Sequence, residues 1–264
     1  MRAFPQLRTS ALVQFPFRSV MRTRCVTNRT AEDRLIQSAD VDFSFICWEL
    51  EYSTLDRTEC QALEQFFESC EGALQSFTFL DPNANLLSTS DDLSSSNWTK
   101  GPLLQVTPDQ SDPWGGNTAS NLINVSQVDQ EISQTLPIPA SFRYCFSAYG
   151  RSATSGLACL LLEGGRQPLH KLFPLRPRWA RLSLCGSLGA TGDSVRFAVR
   201  VPPGAAVQVA GMQVESGTSP TDYKRTSGAR GVFPATYFEQ DELEVVANGP
   251  NSYSCLVRLA SRVG

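Results

Sequence analysis

Apolar and polar residues along this chain repeat with two periods, and the switches between them mark its elements. Over residues 41–52 the pattern is extended. Ile46, Trp48, Leu50 and Tyr52 fall on one face, and Phe43, Phe45 and Cys47 on the other. Glu49 and Glu51 release that second face to water, so the strand is expected to be covered on both sides at one end only. From Asp56 to Gly72 the period becomes helical. Cys60, Leu63, Phe66, Phe67 and Cys70 form one stripe, and Arg57, Glu64, Gln65 and Glu68 fill the wet face. Asp56 with Glu59 three residues later reads as a capping box, and Gly72 as the stop at C′, where positive φ is cheap for glycine. Phe77-Thr-Phe-Leu returns to a strand, and Asp81-Pro82-Asn83 turns the chain. Before all of these, residues 12–17 and 21–26 alternate imperfectly, as short strands or arms do.

The style shifts at residues 87–97, where Ser, Thr, Asp and Asn make a polar linker or lead-in loop. Short apolar runs split by turn residues follow at 103–106, 119–125, 130–136, 142–149, 157–162, 170–175, 179–184, 195–199 and 207–214. Frequent short strands with no good helix indicate an antiparallel sandwich. Beyond Thr226 the pattern changes again. Residues 233–238, 242–247 and 252–260 read as strands, the last two joined by a turn at Asn248-Gly249-Pro-Asn. A lone hairpin is marginal in water. The chain is therefore expected to fold as one unit from residues 1–86 and 227–264, with a β-sandwich of residues 87–226 inserted into it.

Composition refines this picture. Hydrophobic residues make up 41% of the 264, enough for a buried core, and the formal charge of −3 argues against a nucleic-acid-binding surface. Residues 1–34 are locally basic, but Pro5 and Pro16 exclude a basic helix. No apolar run reaches the roughly 20 residues of a membrane-spanning helix, and no continuous apolar block marks a signal peptide at Met1. The eight cysteines include no Cys-x-x-Cys pair, and His170 is the sole histidine. Cys47, Cys145, Cys159 and Cys255 lie in apolar strands, where free buried thiols are expected, with neither metal nor disulfide.

Several stretches together resemble the distal tail proteins of long-tailed phages, most closely the gene-transfer-agent kind. They are Phe4-Pro-Gln-Leu, Asn28-Arg-Thr-Ala-Glu-Asp-Arg, the helix 56–72 and Phe77-Thr-Phe-Leu-Asp-Pro-Asn-Ala-Asn-Leu-Leu87. The resemblance implies a mainly β fold: a β-barrel-like belt domain with one α-helix, plus an inserted jelly roll. It also implies a homo-oligomer, a hexameric ring joining the tail tube protein to the baseplate hub protein, with tail fibres as further candidate partners. The localisation implied is the virion tail tip, after assembly in the host cytoplasm. The insert is similar to carbohydrate-binding jelly rolls of phage tail proteins, on two stretches. One is Leu93-Ser-Ser-Ser-Asn-Trp-Thr-Lys100. The other is Val209-Ala-Gly-Met-Gln-Val-Glu-Ser-Gly-Thr-Ser-Pro-Thr-Asp-Tyr-Lys, as its final strand. A host surface polysaccharide is then a candidate ligand. No catalytic motif, cofactor or nucleic-acid partner comes with the resemblance.

Within the insert the aromatics are the candidate binding groups, because sugar rings present C–H faces that stack on exposed aromatic planes. Trp114, in a Gly-flanked loop, is expected to be exposed, and Tyr149 and Trp179 are the other candidates. Trp98 is expected to be buried. Asp112-Pro-Trp-Gly-Gly-Asn117 suits a plain turn better than a calcium site. Asp91, Asp92, Asp109, Asp112, Asp129, Glu131, Glu163 and Asp193 could in principle supply a glycosidase pair, but the sequence pairs none of them. Competing with the structural hub are a free carbohydrate-binding protein and a tail-associated depolymerase.

Overall fold

The computed structural model describes residues 1–154, 156–189, 191–228 and 231–263. In chain order its elements are β1 (Phe17–Arg29), β2 (Leu35–Leu55), α1 (Arg57–Ser69) and β3 (Phe77–Leu80). There follow β4 (Thr99–Lys100), β5 (Leu104–Gln110), β6 (Ala119–Asn124), β7 (Gln130–Leu136), β8 (Arg143–Arg151), β9 (Gly156–Glu163) and β10 (Leu169–Leu175). The last are β11 (Ala180–Ser187), β12 (Val195–Val201), β13 (Ala206–Ser216), β14 (Val232–Phe238), β15 (Val245–Gly249) and β16 (Ser252–Arg262). The chain divides into two compact units. One is Leu80–Val232 with Met1, and the other is Arg2–Phe79 with the chain from Phe233 onward.

In the unit built from the two chain segments, the sheet order is β1-β2-β16-β14-β3, with β15 on β16. Strand β16 lies between β2 and β14, pairing Val257 with Leu50 and Leu259 with Trp48. All four residues are buried, as is Tyr52, whose hydroxyl donates to the Leu12 carbonyl at 2.9 Å. The stripe on α1 adds an aromatic cluster. Phe66 meets Phe77 at 5.0 Å and Phe4 at 5.8 Å, and Phe67 meets Phe238 at 4.9 Å. The capping box forms as expected, with Asp56 accepting from the Thr58 and Glu59 N–H groups and Glu59 accepting from Asp56 N–H. The helix end differs from expectation. Glu71 takes the first left-handed position (φ 53°) and Gly72 the second (φ 65°), because Cys70 still has helical geometry.

No closed barrel forms among the described residues, which corrects the barrel-like expectation. Closure needs the first and last strands to pair. The free edge of β3 is instead taken by the chain start, where Phe4 N–H donates to Thr78 O and Thr78 N–H to Arg2 O, both at 2.9 Å. Strand β1 stays an open edge. Beyond Phe45, β2 leaves β16 and pairs with β1, so that residues 23–29 and 35–44 form a two-stranded arm. Its apolar side chains are in the open: Leu35 is 55% exposed, Ile36 53% and Val26 41%.

In the other unit the nine apolar runs all become strands. With the two-residue β4 they form two five-stranded antiparallel sheets, β10-β9-β12-β7-β4 and β11-β8-β13-β6-β5, stacked as a jelly-roll sandwich. Phe197 from the first sheet packs edge-on to Tyr144 and Phe146 from the second, each at 5.8 Å, among buried Leu160, Leu162, Val199 and Val214. Residues 87–97 are not a free linker: Leu87, Ser90 and Leu93 are buried, and Trp98, also buried, donates its indole N–H to Thr89 O at 2.8 Å.

One cysteine expectation fails. Cys145 and Cys185 face each other across β8 and β11 and are joined in a disulfide. The apolar neighbours Tyr144 and Phe146 point into the core, so strand alternation turns Cys145 to the opposite face. The remaining six cysteines are free. Thiol titration of denatured, unreduced protein should therefore give six groups, rising to eight on reduction. Replacing both Cys145 and Cys185 by Ser should cost about 2–4 kcal/mol in chemical denaturation. Eight thiols before reduction, from protein purified without reductant under air, would contradict the pairing.

A candidate glycan-binding face

The outer face of β11-β8-β13 is set by strand alternation. With Tyr144, Phe146 and Ala148 buried inward, Ser147, Tyr149 and Arg151 of β8 turn outward. Register places Arg181 opposite Tyr149 and Ser183 opposite Ser147 on one side. On the other side it places Gln208 opposite Arg151 and Ala210 opposite Tyr149. Trp179, two residues before Arg181, extends the same row.

Strand β13 carries a bulge between Ala210 and Gln213, with Gly211 at φ 58°. A Cβ at Gly211 would lie 2.6 Å from Trp114 Cη2 and 3.2 Å from Tyr149 Cδ2, so glycine is required on both counts. Over it Trp114 stacks on Tyr223 at 4.9 Å and meets Tyr149 edge-on at 5.0 Å. The loop carrying Trp114 is the expected turn. The Asp112 carboxylate accepts from Trp114 N–H and Gly116 N–H, both at 2.8 Å, and from Thr118 N–H and hydroxyl. Burial alone would raise the Asp112 carboxyl, but these donors outweigh it and hold it below the usual range.

Tyr223 is held from below by a latch. Gln213 and Glu215, both buried on β13, grip the segment that folds back after the strand. Gln213 donates to Glu215 at 2.7 Å and to Thr221 O, and accepts from Lys224 N–H at 2.6 Å. Glu215 accepts from Thr221 N–H and pairs with Lys224 Nζ, both at 2.9 Å. Burial pushes the Glu215 carboxyl up, yet the bonds from Thr221, Lys224 and Gln213 leave it lowered overall. Asn85 completes the joint. Its side chain donates to Met212 O at 2.9 Å and Lys224 O at 3.0 Å, and accepts from Val214 N–H at 3.0 Å. Tyr223 Oη lies 2.7 Å from Ser90 Oγ and donates to Asp91, which also pairs with Arg225 at 2.5 Å.

The structure thus brings the three sequence candidates onto one face, but not as three open plates. Trp114 is 50% exposed. Tyr149 and Trp179 are half-buried, and each carries a guanidinium over its ring: Arg181 at 5.6 Å from Tyr149, and Arg151 at 4.6 Å from Trp179. Sequence reasoning missed both arginines and Tyr223. The period-2 spacing of Tyr149 and Arg151 was the available signal. His170 stands exposed on β10, away from these residues in the other sheet. Glu131 and Glu163 do come together, but around Arg196, which binds both.

No protein-family model and no curated protein matches this chain. Solved structures similar to it include the enzymatically active domain of tailspike protein 4 from bacteriophage CBA120, at 13% identity and a TM-score of 0.41. That likeness covers 52% of this chain and 22% of the tailspike chain. The CBM22-1 xylan-binding domain of Xyn10C from Paenibacillus barcinonensis matches at 11% identity and a TM-score of 0.42, over 53% of this chain and 96% of that one. TmCBM61, solved with β-1,4-galactotriose, matches at 14% identity and a TM-score of 0.41, over 50% and 98%.

The latch gives a pH prediction. Because the Glu215 carboxyl is lowered in the folded state, its stabilisation is complete above the unfolded value near 4.5 and is lost as pH falls through the folded value. Glu215→Gln should cost about 2–3 kcal/mol at neutral pH. The gap between variant and parent should narrow below about pH 4.5 in thermal melts. A gap that stays constant down to pH 3 would contradict this account.

Proposed function

We propose that this chain is a structural component of a phage tail tip, of the distal tail kind, that acts by assembly and not by catalysis. In this reading the unit built from both chain segments forms a homo-oligomeric ring between tail tube and baseplate hub, and the sandwich is displayed to meet fibres or host glycans. The single observation that carries the reading is the arm of β1 and β2. Two strands alone are marginal in water, and an open edge with exposed apolar residues is a template for another chain. Val26, Ile36 and Leu35 near its tip, with the free edge of β1, suit head-to-tail pairing that closes into a ring. An obligate interface of this sort buries at least roughly 2,000 Å². The resemblance of its sequence stretches to distal tail proteins is what suggests the partner identities.

A second function for the same chain, glycan binding by the sandwich, is favoured by the outward row of Trp114, Tyr149 and Trp179. The acids nearest that row, Asp91, Asp112 and Glu215, are each occupied by donors or a cation, which leaves a hydrolytic reading without a free carboxylate pair there. A free carbohydrate-binding protein would use the same face but would need no arm.

Native mass spectrometry separates these readings. The full chain should run as a hexamer. A variant with residues 24–40 replaced by an Asn-Gly turn should run as a monomer whose sandwich still melts as in the parent. The same number of subunits in parent and trimmed chain would remove the ring from the account.

A further inference from the structure

The two outer faces of the sandwich treat arginine in opposite ways. On the sheet containing β7, β9 and β12, Arg196 is gripped by Glu131 and Glu163. On the same sheet Arg200 pairs with Glu131 at 2.7 Å and Asp129 at 3.8 Å. On the face of β8 and β11, no carboxylate lies within ion-pairing distance of Arg151 or Arg181 among the described residues. Their partners are neutral. Arg151 donates to Gln208 Oε1 at 2.6 Å and Ser111 Oγ at 2.7 Å. Arg181 donates to Ser147 Oγ at 3.2 Å, while its Nε is buried with no partner.

A guanidinium over an aromatic ring keeps its charge and leaves its unengaged N–H groups to be used. Planar N–H pairs match the two oxygens of a carboxylate. Two such cations stand on adjacent strands, with half-exposed Trp114 on the far side of Tyr149. Aromatic ring and uncompensated cation thus stand side by side in two neighbouring rows, whereas on the opposite face Arg196 and Arg200 are already paired by carboxylates of the protein itself.

We propose that this face takes an acidic polysaccharide, with Trp114 against a sugar ring and Arg151 and Arg181 on carboxylates of the same chain. This rests on the glycan-binding reading and names its substrate class. Single-stranded nucleic acid shares the stacking and the charge, and stands as the rival outcome. The whole protein carries a formal charge of −3, so the attraction is local to this face.

Affinity electrophoresis of the full chain tests it, with polygalacturonate, alginate and polysialic acid as acidic probes. Neutral galactan, neutral dextran and single-stranded oligo-dT serve as comparisons. At least one acidic polymer should retard the protein where the neutral ones do not, and retardation should weaken several-fold between about 50 and 300 mM salt. The double variant Arg151→Gln/Arg181→Gln should lose at least about tenfold in affinity. Arg151→Lys/Arg181→Lys should lose less, and Trp114→Ala should also weaken binding. Melting curves for each variant show whether a loss is due to unfolding, and the Lys pair and salt series carry the test if the Gln pair melts early. Equal retardation by neutral polymers, unchanged in the Gln variant, would overturn the acidic class and leave glycan binding standing. Retardation by none of the polymers would overturn both. Tighter retention by oligo-dT would overturn the proposal in favour of nucleic acid.

Discussion

Strand β16 occupies the middle of a sheet whose other long strands come from the opposite end of the chain. It pairs with β2 from Tyr253 to Arg262 and places Val257 and Leu259 in the core beside Leu50 and Trp48. Each such side chain contributes roughly 1.5–3 kcal/mol on burial. Without β16, Trp48 and Leu50 lose their strand neighbour, and β2 keeps only β1, an exposed ribbon. Everything between Phe79 and Phe233 is therefore free to be a separate fold, provided its two ends are held. They are held by Asn85, which ties the incoming chain to β13 and to the segment leaving it.

That joint links two of the stretches on which the family resemblance rests, Phe77–Leu87 and the one that ends at Lys224. Asn85 belongs to the first, and Gln213, Glu215, Thr221, Tyr223 and Lys224 to the second. All but Tyr223, which bonds Ser90 and Asp91, are engaged in one hydrogen-bonded knot on the outer side of β13. The stretches are distinctive because buried polar groups demand exact partners, and a substitution strands the rest. Their work is mechanical: they pin Tyr223, and Tyr223 props Trp114 above the bulge at Gly211. The outward face is thus a consequence of how the sandwich is closed.

What sequence reveals here follows from what burial imposes on it. The helix was legible because its stripe, capping residues and wet face all agree. The sandwich strands were legible because their alternation is reinforced by a two-layer core. The arm was legible only in part. Residues 21–26 alternate as a short strand or arm does, but residues 27–40 have water on both faces, so no apolar period marks them, and the strand expected at 41–52 runs from Leu35 to Leu55. The disulfide was hidden because apolar neighbours mark Cys145 as buried, whereas its pairing depends on the register that sets it opposite Cys185. Of the candidate site, the aromatics could be named from type and loop context alone. The arginines over Tyr149 and Trp179 could not, since their importance lies in lacking a carboxylate, a property of cross-strand neighbours.

The most direct measurement is the folding of the two pieces apart, followed by circular dichroism and amide NMR. Residues 80–232 alone should give a dispersed spectrum and a cooperative melt. Residues 2–79 alone should stay unstructured until a chain carrying 233–264 is supplied. A cooperative melt from 2–79 unaided would contradict the claim that the two ends of the chain build one sheet together.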